Sequence, residues 1–220
     1  MIQIDIHTHR LHANATQLQF LSLEASLSPE FMKTLELNAE RAFLSVGVHP
    51  WNALKWEQSL LGDLFDVFSD QRIALIGEIG LDKVCSVPIG DQRTLFEAQI
   101  GMAERLNKPV ILHVVHAMSE VIAVKKLHPD VPAWIIHGFR GGKQEAEQYT
   151  AMGFYLSFGP KYDREGLLAC PFDRIFLETD ESKEDLGLLY LSVSTVLQCP
   201  VKQLESQIER NFRAVFPKSG

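Results

Sequence analysis

Short apolar runs alternate along the chain with longer stretches in which apolar residues recur every three or four positions. The runs are Ile2–Ile6, Leu18–Leu23, Ala42–Val48, Ile73–Ile79, Val110–Val115, Ala133–His137, Phe154–Phe158 and Arg174–Thr179. Most are rich in β-branched and aromatic residues and apolar almost throughout, the pattern of strands covered on both faces in a parallel sheet. The stretches between them read as helices. Ser28-Pro29-Glu30 supplies an N-cap, a proline at the first helical position and an early acid, followed by Phe31, Met32, Leu35 and Leu37. Asp91–Leu106 carries Leu95, Phe96, Gln99, Ile100, Ala103 and Leu106 at helical spacing, and Val201–Phe216 carries Leu204, Ile208, Phe212 and Val215 on one stripe.

Eight strands alternating with helices predict an α/β fold, a TIM-like (β/α)8 barrel, with a doubly wound open sheet as the weaker alternative. Only about ten residues, His7 to Gln17, join the first two runs, and a complete crossover with its helix needs at least that many. The first helix is therefore expected to be reduced or missing, with the barrel distorted there. No repeat, low-complexity tract or Pro/Gly/Ser linker divides the sequence, so one domain is expected over residues 1–220.

Composition narrows the picture. At 220 residues, 46% hydrophobic and 22% charged, the chain can bury one core. No segment approaches the ~20 apolar residues of a membrane span. The opening Met1-Ile2-Gln3-Ile4-Asp5 lacks the basic and apolar regions of a secretory signal, which predicts a cytoplasmic protein. Cys85, Cys170 and Cys199 have no paired spacing and predict reduced thiols, neither a disulfide framework nor a cysteine metal site. Net charge −7 and a pI near 5.6 argue against a broad basic face for nucleic acid. If the chain acts on nucleic acid, it must grip little of it, or grip it through metal ions. No obligate protein partner and no membrane association are indicated.

The polar residues that interrupt the apolar runs share one position. His7 and His9 follow the first run, Glu78 ends the fourth, His113 sits late in the fifth, His137 ends the sixth and Asp180 follows the eighth. In a β/α barrel the C-terminal strand ends build the active site. Four imidazoles and two carboxylates suit zinc, manganese, iron, magnesium or a similar divalent ion. His7 and His9 alternate along an extended segment and so point the same way. Any one of these groups alone reads as an ordinary hydrogen-bonded residue or turn, as Glu78 between Gly77 and Gly80 does. Burying all of them without partners or metal would cost several kcal/mol.

In this order the residues resemble the TatD-related metal-dependent deoxyribonucleases of the amidohydrolase superfamily. Asp5-Ile6-His7-Thr8-His9 is similar to that family's D-x-H-x-H, Gly47-Val48-His49-Pro50 to its G-x-H-P, and Gly77-Glu78-Ile79-Gly80-Leu81-Asp82 to its G-E-I-G-L-D. Gln92-Arg93 through Phe96 and Gln99 resembles its Q-R-x-x-F-x-x-Q. Pro109–His113, His137–Gly141 and Leu177–Asp180 resemble P-V-I-I-H, H-x-F-x-G and L-E-T-D. The resemblance implies a TIM-like barrel and phosphodiester hydrolysis by two divalent ions. It departs from the family at Val115, where an arginine is usual, at His116, at Arg140, and at Glu181-Ser182-Lys183. The chain is also shorter around the first crossover and after the last strand.

The expected site holds one ion by His7, His9, Glu78 and Asp180 and a second by Glu78, His113 and His137, with Glu78 bridging. Asp180 is the expected general base, and His49 and Arg140 are expected to bind the substrate, DNA or a small phosphodiester. Glu178 is expected to point away from the metals, or instead to orient a ligand or pair with a basic helix residue, and Asp5 to accept a hydrogen bond from a ligating histidine or to make a strand-start hydrogen bond. Two rival readings stand beside this one: an amidohydrolase or lactonase using the same metals on a small molecule, and a barrel that binds without catalysis.

Overall fold

A computed structural model of the chain describes residues 2–12 and 17–216. Its strands are β1 (Gln3–Thr8), β2 (Gln17–Glu24), β3 (Phe43–Gly47), β4 (Ile73–Asp82), β5 (Val110–Val115), β6 (Trp134–Ile136), β7 (Phe154–Phe158) and β8 (Ile175–Leu177). Its helices are α1 (Pro29–Ala39), α2 (Leu61–Ser69), α3 (Ile89–Arg105), α4 (Met118–Leu127), α5 (Lys143–Ala151), α6 (Arg164–Ala169), α7 (Leu186–Val196) and α8 (Val201–Val215). The sheet runs β1 to β8 in sequence order. With parallel pairing and helical crossovers, this is the topology of a (β/α)8 barrel. Residues 9–12, after β1, contain no helix, as the short crossover predicts; residues 13–16 lie outside the described part. Among the described residues no helix is long and apolar enough to cross a membrane.

The chain groups into two compact units, Met1–Leu21 with Ile135–Gly220, and Ser22–Trp134. In the first, β1 pairs with β2 and β7 with β8. The end of β8 is tied to β1 by Asp180 N–H donating to the His7 carbonyl at 2.9 Å and His9 N–H donating to the Asp180 carbonyl at 3.2 Å. Helices α7 and α8 cover β1, and their side chains set its position. The buried Tyr190 hydroxyl donates to the Ile4 carbonyl at 3.0 Å and accepts from Ile4 N–H at 2.9 Å. The Asn211 amide donates to the Ile175 carbonyl at the start of β8.

In the second unit β3, β4 and β5 form a parallel ladder. Ser28 caps α1, its hydroxyl accepting from Phe31 N–H, as the sequence predicts. A Cβ at Gly80 would stand 1.9 Å from the His113 carbonyl oxygen, so β4 and β5 can lie this close only with glycine there. Helix α3 packs on β4 and buries two amides that hold strand ends. The Gln99 side chain accepts from Val48 N–H at 2.8 Å and donates to the Val48 carbonyl at 3.1 Å. Gln92 makes the same pair of bonds with Asp82, at 2.8 and 2.9 Å. Both exchanges satisfy buried backbone groups just where the strands give way to loops.

Candidate metal centre

In the first unit, His7 is the fully buried penultimate residue of β1, and His9 stands just beyond the strand with its side chain 37% exposed. Thr8 between them faces the other way and takes the Thr179 hydroxyl at 3.0 Å, so the two histidines share a side as strand alternation requires. The ring of His7 lies 4.9 Å from that of His9 and 4.5 Å from that of His137. Asp180 Oδ1 is 3.8 Å from His7 Nε2 and 3.6 Å from His9 Nε2. His7, His137 and Asp180 each offer a ligand atom within 4.8 Å of the others. Asp180 sits in the left-handed region at φ 54, uncommon for a non-glycine residue, and its backbone bonds to β1 hold it there.

Of the two readings given for Glu178 and for Asp5, the first is corrected in each case. Glu178 does not turn away from the site. It lines the same cavity as Asp180, its Oε1 lies 3.4 Å from His137 Nδ1, and it accepts from Gly138 N–H at 2.6 Å. Gly138 adopts φ 57, a left-handed turn that glycine makes without a Cβ penalty. Asp5 carries hydrogen bonds of the strand end. Its carboxylate takes Thr179 N–H at 3.0 Å and the Thr179 hydroxyl at 2.7 Å, fixing the residue before Asp180. Burial pushes the Asp5 carboxyl up to about 7, against the pull of the Thr179 bonds.

In the second unit, Glu78, His113 and His49 each offer a ligand atom within 4.8 Å of the others. Glu78 Oε1 is 2.7 Å from His113 Nδ1 and 3.3 Å from His49 Nε2. His113 Nε2 faces Asp82 Oδ2 at 3.3 Å. The His49 Nδ1 accepts from Trp51 N–H at 3.3 Å and caps a 3₁₀ turn, Pro50–Lys55. A neutral ring accepting at Nδ1 carries its proton on Nε2, which makes His49 a donor toward Glu78 or a substrate oxygen. Glu24 accepts from His49 N–H at 3.2 Å, and burial raises its carboxyl above the usual range. Burial pushes Asp82 upward too, but hydrogen bonds from the Trp51 indole, Val84 N–H and His113 outweigh it and leave Asp82 lowered.

The predicted site residues come from segments of both units. His7, His9, His137 and Asp180 belong to the first unit, and Glu78, His113 and His49 to the second. Arg140 lines a cavity of about 350 Å³ in the first unit together with Gly138, Lys161, Glu178 and Asp180. Asp82, Glu24 and Trp51 were not singled out from the sequence. Asp82 obeys the same strand-end rule as the ligands, and was missed because β4 runs three residues past Ile79, through Gly80, to Asp82.

The TatD related DNase family matches residues 5–217. An uncharacterized metal-dependent hydrolase of Bacillus subtilis, YabD, is 29% identical over 69% of the chain and 64% of its own length. A 3'-5' ssDNA/RNA exonuclease, TatD of Pantoea ananatis, is 30% identical over 76% of the chain and 68% of its own length. The chain therefore spans about two thirds of these curated relatives. Among solved structures, YJJV, a TatD homolog from Escherichia coli, superposes with a TM-score of 0.83 at 21% identity over 97% of both chains. A TatD family hydrolase from Entamoeba histolytica gives 0.78 at 15% identity over the whole of both. At these identities the structural likeness bears on the fold, which it shares.

Proposed function

The chain belongs to the TatD related DNase family, and from that premise we propose that it is a metal-dependent hydrolase that cleaves phosphodiester bonds in DNA or a small phosphodiester. The observation that carries the reading is the meeting of His7, His137 and Asp180 at strand ends, with ligand atoms within 4.8 Å of one another. Imidazole nitrogens and carboxylate oxygens with no thiolate fit Zn²⁺, Mn²⁺ or Mg²⁺. Two ions per chain are proposed, with His7, His9, His137 and Asp180 as ligands from the first unit and Glu78 and His113 from the second. Such ions polarise a phosphoryl oxygen and acidify water when bound.

The side chains then have distinct tasks. Asp180 takes the proton of the attacking water, a role that suits a carboxylate held by backbone bonds on both sides. Glu178 faces His137 Nδ1, which leaves His137 Nε2 for the ion. His49 donates from Nε2 to a phosphoryl oxygen, and Arg140 gives a charge-assisted hydrogen bond to a phosphate. The test is turnover by metal-loaded protein of a chromogenic phosphodiester against a panel of lactones and amides. Hydrolysis of the phosphodiester alone supports the proposal. Preference for a lactone or amide would replace it with the amidohydrolase reading.

A further inference from the structure

Trp51 is 59% exposed, although it immediately follows the His49-Pro50 pair and stands beside the second unit's cluster. Its ring centroid is 4.8 Å from that of His49 and 6.0 Å from that of His113. Most exposed apolar residues of a soluble chain are scattered and need no explanation. Trp51 differs because it is held in place. The indole N–H donates to Asp82 Oδ2 at 2.7 Å. Asp82 is anchored in turn: its Oδ1 accepts from Val84 N–H at 2.8 Å and Cys85 N–H at 3.2 Å, and its backbone is clamped by Gln92. The indole N–H lies in the plane of the ring, so the bond that fixes the side chain does not itself cover a π face, and beside the near-perpendicular contacts with His49 and His113 more than half of the residue stays exposed. A large aromatic surface is thus kept rigid and open to solvent, at the cost of the burial it could have had.

We propose that Trp51 is a stacking platform for a nucleobase of the substrate. The inference rests on the phosphodiesterase reading above. Stacking is available to any base with a free π face, whereas bases inside a duplex already cover one another. The charge of the chain supports the same conclusion. At net −7 the chain as a whole is repelled by phosphates, whereas a basic surface supplies most non-specific affinity for nucleic acid. A stacked base contributes affinity that does not depend on that surface.

The experiment measures binding, with turnover suppressed by Asp180→Asn and Mn²⁺ present throughout. Two fluorescently labelled strands are titrated, oligothymidylate and the same length carrying abasic residues near its 3′ end. With Trp51 intact, the natural strand should bind about tenfold or more tighter than the abasic one. Trp51→Ala should abolish that difference, and Trp51→Phe, with a smaller ring, should retain part of it. Raising salt should weaken both strands while leaving their ratio largely unchanged, because stacking is not screened. Equal binding of the two strands with Trp51 intact overturns the inference, as does an undiminished preference in Trp51→Ala. Failure of the phosphodiesterase reading appears separately, as no phosphodiester turnover by the wild-type protein.

Discussion

Asp180 concentrates several demands in one residue. Its backbone closes β8 against β1, its φ lies in the left-handed region, and its carboxylate faces two histidines. The backbone demands do not depend on charge, so Asp180→Asn separates them from the chemistry. Turnover should fall by about 10²-fold or more at matched metal loading, with the thermal midpoint little changed. Near-normal turnover would remove Asp180 as the base. Arg140 poses a different question, because it is exposed and lines the cavity that contains Asp180. If it grips a phosphate, Arg140→Ala should raise KM for a phosphodiester about tenfold and leave metal content unchanged, since a charge-assisted hydrogen bond is worth roughly 1.5–3 kcal/mol. Unchanged kinetics would make it a solvated surface arginine and favour an uncharged substrate.

At the scale of elements, strands carry the site and α3 holds two of their ends. Gln99 is buried and satisfies both backbone groups of Val48, the residue before His49. Gln99→Leu keeps the bulk and removes both partners. It should destabilise the fold by roughly 2–4 kcal/mol, read from urea unfolding, because each orphaned buried group costs about 1–3 kcal/mol. A loss within about 0.5 kcal/mol, the range of neutral surface changes, would show that water replaces the amide. The strands themselves were legible in the sequence, because a strand covered on both faces must be apolar almost throughout. Helix α1 was legible through Ser28 and Pro29. The end of β4 was not, since Gly80 reads as a turn when it in fact permits close approach to β5, and Asp82 and Trp51 went unrecognised with it. The direction of Glu178 was misjudged for another reason: β8 ends at Leu177, so strand alternation does not set where Glu178 points, and its carboxylate is held by Gly138 N–H.

For the molecule as a whole, the first unit unites chain segments far apart in sequence, residues 1–21 and 135–220. The strand-end rule made its candidate ligands readable from the sequence, but no local pattern could say that His7, His137 and Asp180 would gather in one cluster with Glu178 at its side. Closing so long a loop costs entropy that the β1–β8 pairing must offset. An ion held by His7, His137 and Asp180 binds only the folded arrangement, because the unfolded chain does not keep these residues together. Metal should therefore stabilise the fold by mass action, by about 2.7 kcal/mol at a hundred times its dissociation constant. For a chain of this size that corresponds to a rise in Tm of about 5–10 °C. The measurement is a thermal melt of protein stripped with chelator, then repeated after addition of Zn²⁺ or Mn²⁺. The His7→Ala, His9→Ala double variant should lose most of the gain and most of the bound metal found by elemental analysis. An equal shift in the double variant would mean that the ions bind elsewhere, and that the histidines at the end of β1 are packing residues and not ligands.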